Sequence, residues 1–196
     1  MRTRALAVRG LLLLIAGVAA GCDDRAPVAP AGRAPSLLVA NPAEQVNVLE
    51  RATPLPEDIT AGAWIGKVGG TITIPEAGVR LIIPARAVRQ PTYISVTAHA
   101  GRLVSYEFEP HGTTFDLPLH VLQDIRDLSI WKSGGAVPTE LPSIEAGYFP
   151  SRGDIDPGSA TALVREVLPA DVDLAGSKIR FDVTHFSGYL LASAYK

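Results

Sequence analysis

The sequence predicts an all-β domain, an antiparallel β-sandwich, set behind a cleavable leader and an Ala/Pro-rich linker. Short runs of β-branched and aromatic residues recur from Trp64 onward, with Gly, Pro, Asp and Ser between them. Punctuation is dense: 18 Gly and 16 Pro in 196 residues suit many short strands and turns better than long helices. A composition of 47 % hydrophobic and 19 % charged residues supplies enough apolar material for a folded core. The formal net charge is −2, so the cationic excess that neutralises phosphates is missing and no nucleic-acid partner is expected.

Residues 1–21 read as the leader. Arg2, Arg4 and Arg9 precede the apolar run Leu11 to Ala20, the basic-then-hydrophobic order of a secretion signal. That run is short of the roughly 20 residues a stable transmembrane helix needs, and Asp23, Asp24 and Arg25 follow at once. Ala19, Ala20, Gly21, Cys22 resembles the bacterial lipobox, in which peptidase cleavage leaves the Cys at the new N-terminus. The thiol takes a diacylglyceryl group, and small residues before it admit the extended chain to the peptidase. Cys22 is the only Cys, so no internal disulfide forms. Each buried methylene of an acyl chain contributes about 0.8 kcal/mol, and one chain alone holds only marginally. Diacylglycerol plus an N-acyl chain on Cys22 therefore predicts a durable anchor. The expected location is the cell envelope, at the inner or the outer membrane.

Residues 22–61 read as the lipidated Cys and an extended linker containing Pro27, Pro30, Pro35, Pro42, Pro54 and Pro56. Polyproline geometry at about 3.1 Å per residue would stand the domain up to roughly 100 Å from the bilayer. Within it, Leu37 to Val39 and Val46, Val48, Leu49 have room for a short strand or helical turn.

Residues 62–196 read as the sandwich. Strands are predicted near Thr71–Ile74, Val79–Ile83, Tyr93–Ala98, Val104–Glu109, Leu119–Val121, Leu128–Trp131, Gly147–Phe149, Ala162–Val167, Lys178–Val183 and Gly188–Ser193. Alternation is clearest where Tyr93, Ser95 and Thr97 interleave with Ile94, Val96 and Ala98. It recurs where Ile179, Phe181 and Val183 interleave with Arg180 and Asp182. Between Leu119 and Leu128, Pro118 and the short length favour a loop with one turn over a helix. Gly112 permits a tight turn before Phe115 drops into the core, and Pro110 and Pro118 end ladder hydrogen bonding on either side.

Three blocks, in order, carry a resemblance. The first runs from Gly69 and Gly70 through Thr71–Pro75 and Ala77–Pro84 to Ala87. The second is Glu109, Pro110, His111, Gly112, Thr113, Thr114, Phe115 and Pro118, and the third is His185, Phe186, Ser187, Gly188 and Tyr189. Together they resemble the opening, central and closing motifs of a ZU5 domain. The resemblance implies a sandwich of two antiparallel sheets, as in ankyrins, netrin receptors and tight-junction scaffolds, and a role in protein contact, here with another envelope protein.

Some ZU5 domains followed by a UPA subdomain cut themselves between Phe and Ser at a His-Phe-Ser tripeptide. By that resemblance Ser187 could attack the Phe186 carbonyl in an N-to-O acyl shift while an imidazole, His185 or another His brought close by the fold, removes the hydroxyl proton, and water would resolve the ester. The chain departs from that pattern: it reaches Lys196 without such a subdomain, and Gly188 relieves strain rather than storing it. A packing and turn role is expected of the tripeptide instead.

Other chemistry has little support in the sequence. His99, His111 and His120 are scattered, without the spacing of a zinc site, and no metal is expected. Asp154, Asp156 and Gly158 resemble the front of a calcium loop, but the distal acidic ligand falls at Arg165, so an Asp- and Gly-rich turn is expected. Arg152, Gly153, Asp154 is read as a solvated loop. No Walker loop, no Gly-x-Ser-x-Gly elbow and no catalytic carboxylate pair is present, so a non-enzymatic binding or scaffolding role without a cofactor is expected. Carbohydrate binding ranks lower, because two Trp and 6 % aromatics leave little material for stacking platforms.

Overall fold

A computed structural model describes residues 42–131 and 141–193. The leader, Cys22 and the first half of the expected linker lie outside the described residues. Among the described residues the regular structure is β-strand, broken by one-turn 3-10 segments at Pro75–Ala77, Ile125–Asp127 and Arg152–Asp154. The strands are β1 (Glu44–Val48), β2 (Glu50–Leu55), β3 (Ile59–Ile65), β4 (Gly70–Ile74), β5 (Val79–Ile83), β6 (Thr92–Ala98), β7 (Gly101–Leu103) and β8 (Ser105–Glu109). They continue as β9 (Thr114–Asp124), β10 (Ile144–Phe149), β11 (Ile155–Asp156), β12 (Thr161–Val164), β13 (Glu166–Asp173), β14 (Lys178–His185) and β15 (Gly188–Ser193).

All pairings are antiparallel, as expected. One layer runs β4-β5-β9-β14-β13, and the other runs β3-β6-β8-β15-β10, with β13 also pairing β10 to join the two. β15 is central: β10 lies along one side, and β8 and β1 share the other. It is buried from Gly188 to Ala192 and reads as an unbroken apolar run, because it packs on both faces. Leu191 faces the main core between the layers, whereas Leu190 faces a second, smaller core with Val46, Val48, Phe149 and Val164. Inward residues Ile94, Val96 and Ala98 of β6 and Ile179, Phe181 and Val183 of β14 are buried in the main core, so the alternation read in the sequence is observed.

The linker expectation is corrected at its second half. Residues from Glu44 onward are strand, and β1 pairs with both β12 and β15. Val46 and Val48 alternate with the exposed Gln45 and Asn47, and that period-two pattern closes the smaller core. Pro54 escapes the ladder because β2 pairs β7 only at Glu50 with Leu103 and at Leu55 with Gly101, with an irregularity between.

Two further expectations change. Residues near Pro118 form strand rather than loop, since β9 runs from Thr114 to Asp124. Its register against β14 slips between Val183, opposite Leu119, and His185, opposite Thr114, and Pro118 sits in that bulge. Leu128 to Trp131 is not a strand: Leu128 makes one bridge to Arg51, and the Trp131 N–H closes a turn onto the Leu128 carbonyl at 3.0 Å.

Candidate functional site

The opening block builds a corner. Gly69 has φ +76, and a Cβ there would fall 2.3 Å from the Ile83 carbonyl oxygen and 2.7 Å from the Pro84 carbonyl carbon. A side chain is excluded both by backbone conformation and by space. Gly70 pairs with Ile83 in the β4–β5 hairpin, so Gly69, Gly70 and Pro84 meet at its open end.

The central and closing blocks, far apart in sequence, interlock. Gly112, at φ +74, donates its N–H to the Phe186 carbonyl at 3.1 Å, and the Phe186 N–H donates to the Thr113 carbonyl at 2.8 Å. Thr113 Oγ1 donates to the Pro110 carbonyl at 2.8 Å, closing the turn. The Phe186 ring is buried between Phe115, edge-on at 4.7 Å, and Phe108, stacked at 5.7 Å.

Within the tripeptide, the His185 imidazole faces the Tyr189 hydroxyl, with Nδ1 at 3.1 Å and Nε2 at 3.2 Å. That hydroxyl donates to the His185 carbonyl at 2.9 Å. Glu166 Oε2 lies 3.7 Å from Nε2, and the Tyr148 ring stands edge-on at 4.9 Å. Burial pushes the Tyr189 phenol well above its ordinary range, so the hydroxyl keeps its proton for that hydrogen bond. Ser187 is buried, and its carbonyl accepts the Phe108 N–H at 3.0 Å.

The acidic turn is tied up internally. Asp154 and Ser151 form a reciprocal capping box, and Asp156 accepts from the Gly158 N–H and the Ser159 hydroxyl. Arg152–Asp154 is a one-turn segment with no buried residue, as expected of a solvated loop, and the Arg152 guanidinium forms a two-pronged surface pair with Asp58 at 2.7 and 3.0 Å. That pair is foremost in holding the Asp58 carboxyl down, to about 2.

Sequence reasoning missed the outward face of β3, β6 and β8. Among the described residues β3 is an edge strand, paired with β6 alone. Register places Trp64 opposite Tyr93, Gly62 opposite Ser95 and Thr60 opposite Thr97. Glu109 and Glu107 of β8 continue the last two rows. Trp64 is 74 % exposed and Tyr93 51 %, and the rings meet edge-to-face at 5.8 Å. Tyr93 lies across Gly62, where a Cβ would come within 2.5 Å of the hydroxyl. Val68, 88 % exposed, follows in the turn after β3. The signal in the sequence was parity: Tyr93 shares the wet face with Ser95 and Thr97, so an aromatic ring there cannot be core.

Most of this face lies in one recognisable segment. Residues 61–100 match the ZU5 domain family. The ZU5 match takes in the opening block and both exposed rings, and stops before the central and closing blocks. No curated protein matches the chain.

The same face gathers residues read as scattered. Pairing of β6 with β8, and the turn at Pro110, bring His99 and His111 to opposite oxygens of Glu107, at 3.6 and 3.0 Å. Burial, with Arg152 adding to it, lowers the His99 imidazole from its ordinary value, against the opposite pull of Asp58 and Glu107.

Proposed function

We propose that this chain is a membrane-anchored, non-enzymatic lipoprotein of the cell envelope whose strand-rich domain docks another envelope protein through the outward face of β3 and β6. The exposed Trp64–Tyr93 pair, with Trp64 on the edge strand β3 and Tyr93 on its neighbour β6, inside the ZU5-matching segment, carries this reading. A free edge offers backbone N–H and C=O groups to an extended partner strand, and the two rings give that partner an apolar seat. Aromatic residues are enriched at such contacts because they bring large area with little rotamer entropy to lose. Acyl chains on Cys22 would confine the encounter to the membrane surface.

Two measurements test this. Radiolabelled palmitate should enter the wild-type chain and not Cys22→Ser, with the wild type in the membrane fraction. Affinity capture from solubilised envelope should retain one discrete protein with the wild-type chain and lose it with Trp64→Ala/Tyr93→Ala. Retention of a polysaccharide in place of a protein would move the function to carbohydrate recognition on the same rings.

A further inference from the structure

Glu107 and Glu109 stand two residues apart on β8 and therefore share the outward face. After Pro110 the chain folds back, so that His111 Nε2 lies 3.0 Å from Glu107 Oε1 and 3.4 Å from Glu109 Oε1. Glu109 is fixed by its other oxygen, which accepts the His111 backbone N–H at 2.6 Å. One donor atom from each of Glu107, Glu109 and His111 fits within 4.8 Å of the others.

An independent observation comes from β6. His99, only 3 % exposed, points Nε2 toward the second Glu107 oxygen at 3.6 Å, and that nitrogen is buried without a hydrogen-bond partner among the described residues. The other ring nitrogen, Nδ1, is 3.0 Å from the Ser105 hydroxyl. With the proton on Nδ1 donated to Ser105 Oγ, the Nε2 lone pair is left directed at the carboxylate, the tautomer and outer contact of a metal-binding imidazole.

We propose that Glu107, Glu109, His111 and His99 Nε2 hold a first-row divalent transition-metal ion of the Zn2+ type. An ion on the Glu107 carboxylate meets an imidazole nitrogen on either side. Tetrahedral bonds of about 2.0–2.2 Å separate neighbouring donor atoms by about 3.3–3.5 Å, close to the 3.0 Å between His111 and Glu107, the 3.4 Å between His111 and Glu109 and the 3.6 Å between His99 and Glu107. His99 Nε2 stands outside the 4.8 Å group of the other three and joins the ion by a small shift of its ring or of Glu107. Imidazole nitrogen with carboxylate oxygen is a borderline donor set, which favours Zn2+ over Ca2+ and Mg2+, ions that prefer oxygen alone. The bound ion offsets two neighbouring carboxylates and clamps the Pro110–Gly112 turn to β6 and β8. It also lies beside the row that carries Thr60 and Thr97.

The test uses the full chain carrying Cys22→Ser, which removes the competing thiol, stripped of metal and titrated with ZnCl2 and CoCl2. One ion per chain is expected by calorimetry, with tetrahedral visible absorption from Co2+ and a higher melting temperature with Zn2+ than with CaCl2. His111→Ala and Glu109→Gln, at exposed positions, should each weaken Zn2+ binding at least tenfold. Zn2+ should also shift the NMR signals of the ring nitrogens of both His99 and His111, a reading that needs no variant of the buried ring. Equal Zn2+ binding by the parent and a His111→Ala/Glu109→Gln double variant overturns the site, as does preference for Ca2+. A shift confined to His111 overturns the four-donor set.

Discussion

The backbone N–H of Gly112 donates to the carbonyl of Phe186 at 3.1 Å, so the turn after β8 and the turn before β15 are pinned to one another. Phe186 then fills the space between Phe108 and Phe115. Phe186→Ala should cost about 3–5 kcal/mol by urea denaturation, the ordinary loss for emptying a buried aromatic site. Gly112→Ala meets nothing within 4 Å, so its cost of about 1–2 kcal/mol should come from the left-handed backbone alone.

Gly62 holds the Tyr93 ring in place by having no side chain. Gly62→Ala should push the hydroxyl end of Tyr93 aside, because that flexible end is the nearest obstacle to a Cβ. Stability should change by no more than about 1 kcal/mol, as for most exposed substitutions. Capture of the envelope partner should fall, and paired denaturation and capture assays read the two effects separately.

The Asp58 carboxyl is held down by Arg152 and the Ala100 N–H, with His99 nearby, and Asp124 is held lower still by Arg126 and Lys178, with Asp127 facing it. Both groups bind protons more weakly folded than unfolded, so their stabilisation is fully present above pH of about 4 and declines as pH falls through the folded values. Asp127 is pushed the other way, chiefly by burial and then by Asp124, and gains its proton more readily. Asp58→Asn should flatten the loss of melting temperature between pH 4 and about 2. An unchanged slope would remove the Arg152 pair from the account.

His185 is engaged by the Tyr189 hydroxyl and approached by Glu166. The purified chain should therefore give one intact mass through Lys196. Release of residues 187–196 would show that the Phe186–Ser187 bond is cut and would make the chain self-processing.

The sequence was most legible where one face of a strand is wet. β6 and β14 alternate, so their buried residues could be named before their neighbours were known. It was least legible where proline hides in an irregularity: Pro54 and Pro118 suggested linker and loop, yet each sits where its strand has slipped from its partner. The interlock of Gly112 with Phe186 followed from motif blocks that resemble a known family, not from periodicity. His99 and His111 looked unrelated because only the β6–β8 register brings them to one carboxylate, and register is a property of pairing between distant segments. In the sequence Trp64 marks only where the strand-like runs begin. Its exposure follows from being opposite Tyr93 at the edge of a sheet.

A photo-crosslinking amino acid placed at Val68, exposed in the turn that follows the strand of Trp64, tests the docking face most directly. On irradiation in growing cells, the account predicts one discrete protein adduct in the membrane fraction. The adduct should be lost when Trp64→Ala and Tyr93→Ala are added. An adduct that survives both substitutions, or none from Val68 while a position on β4 gives one, would contradict it.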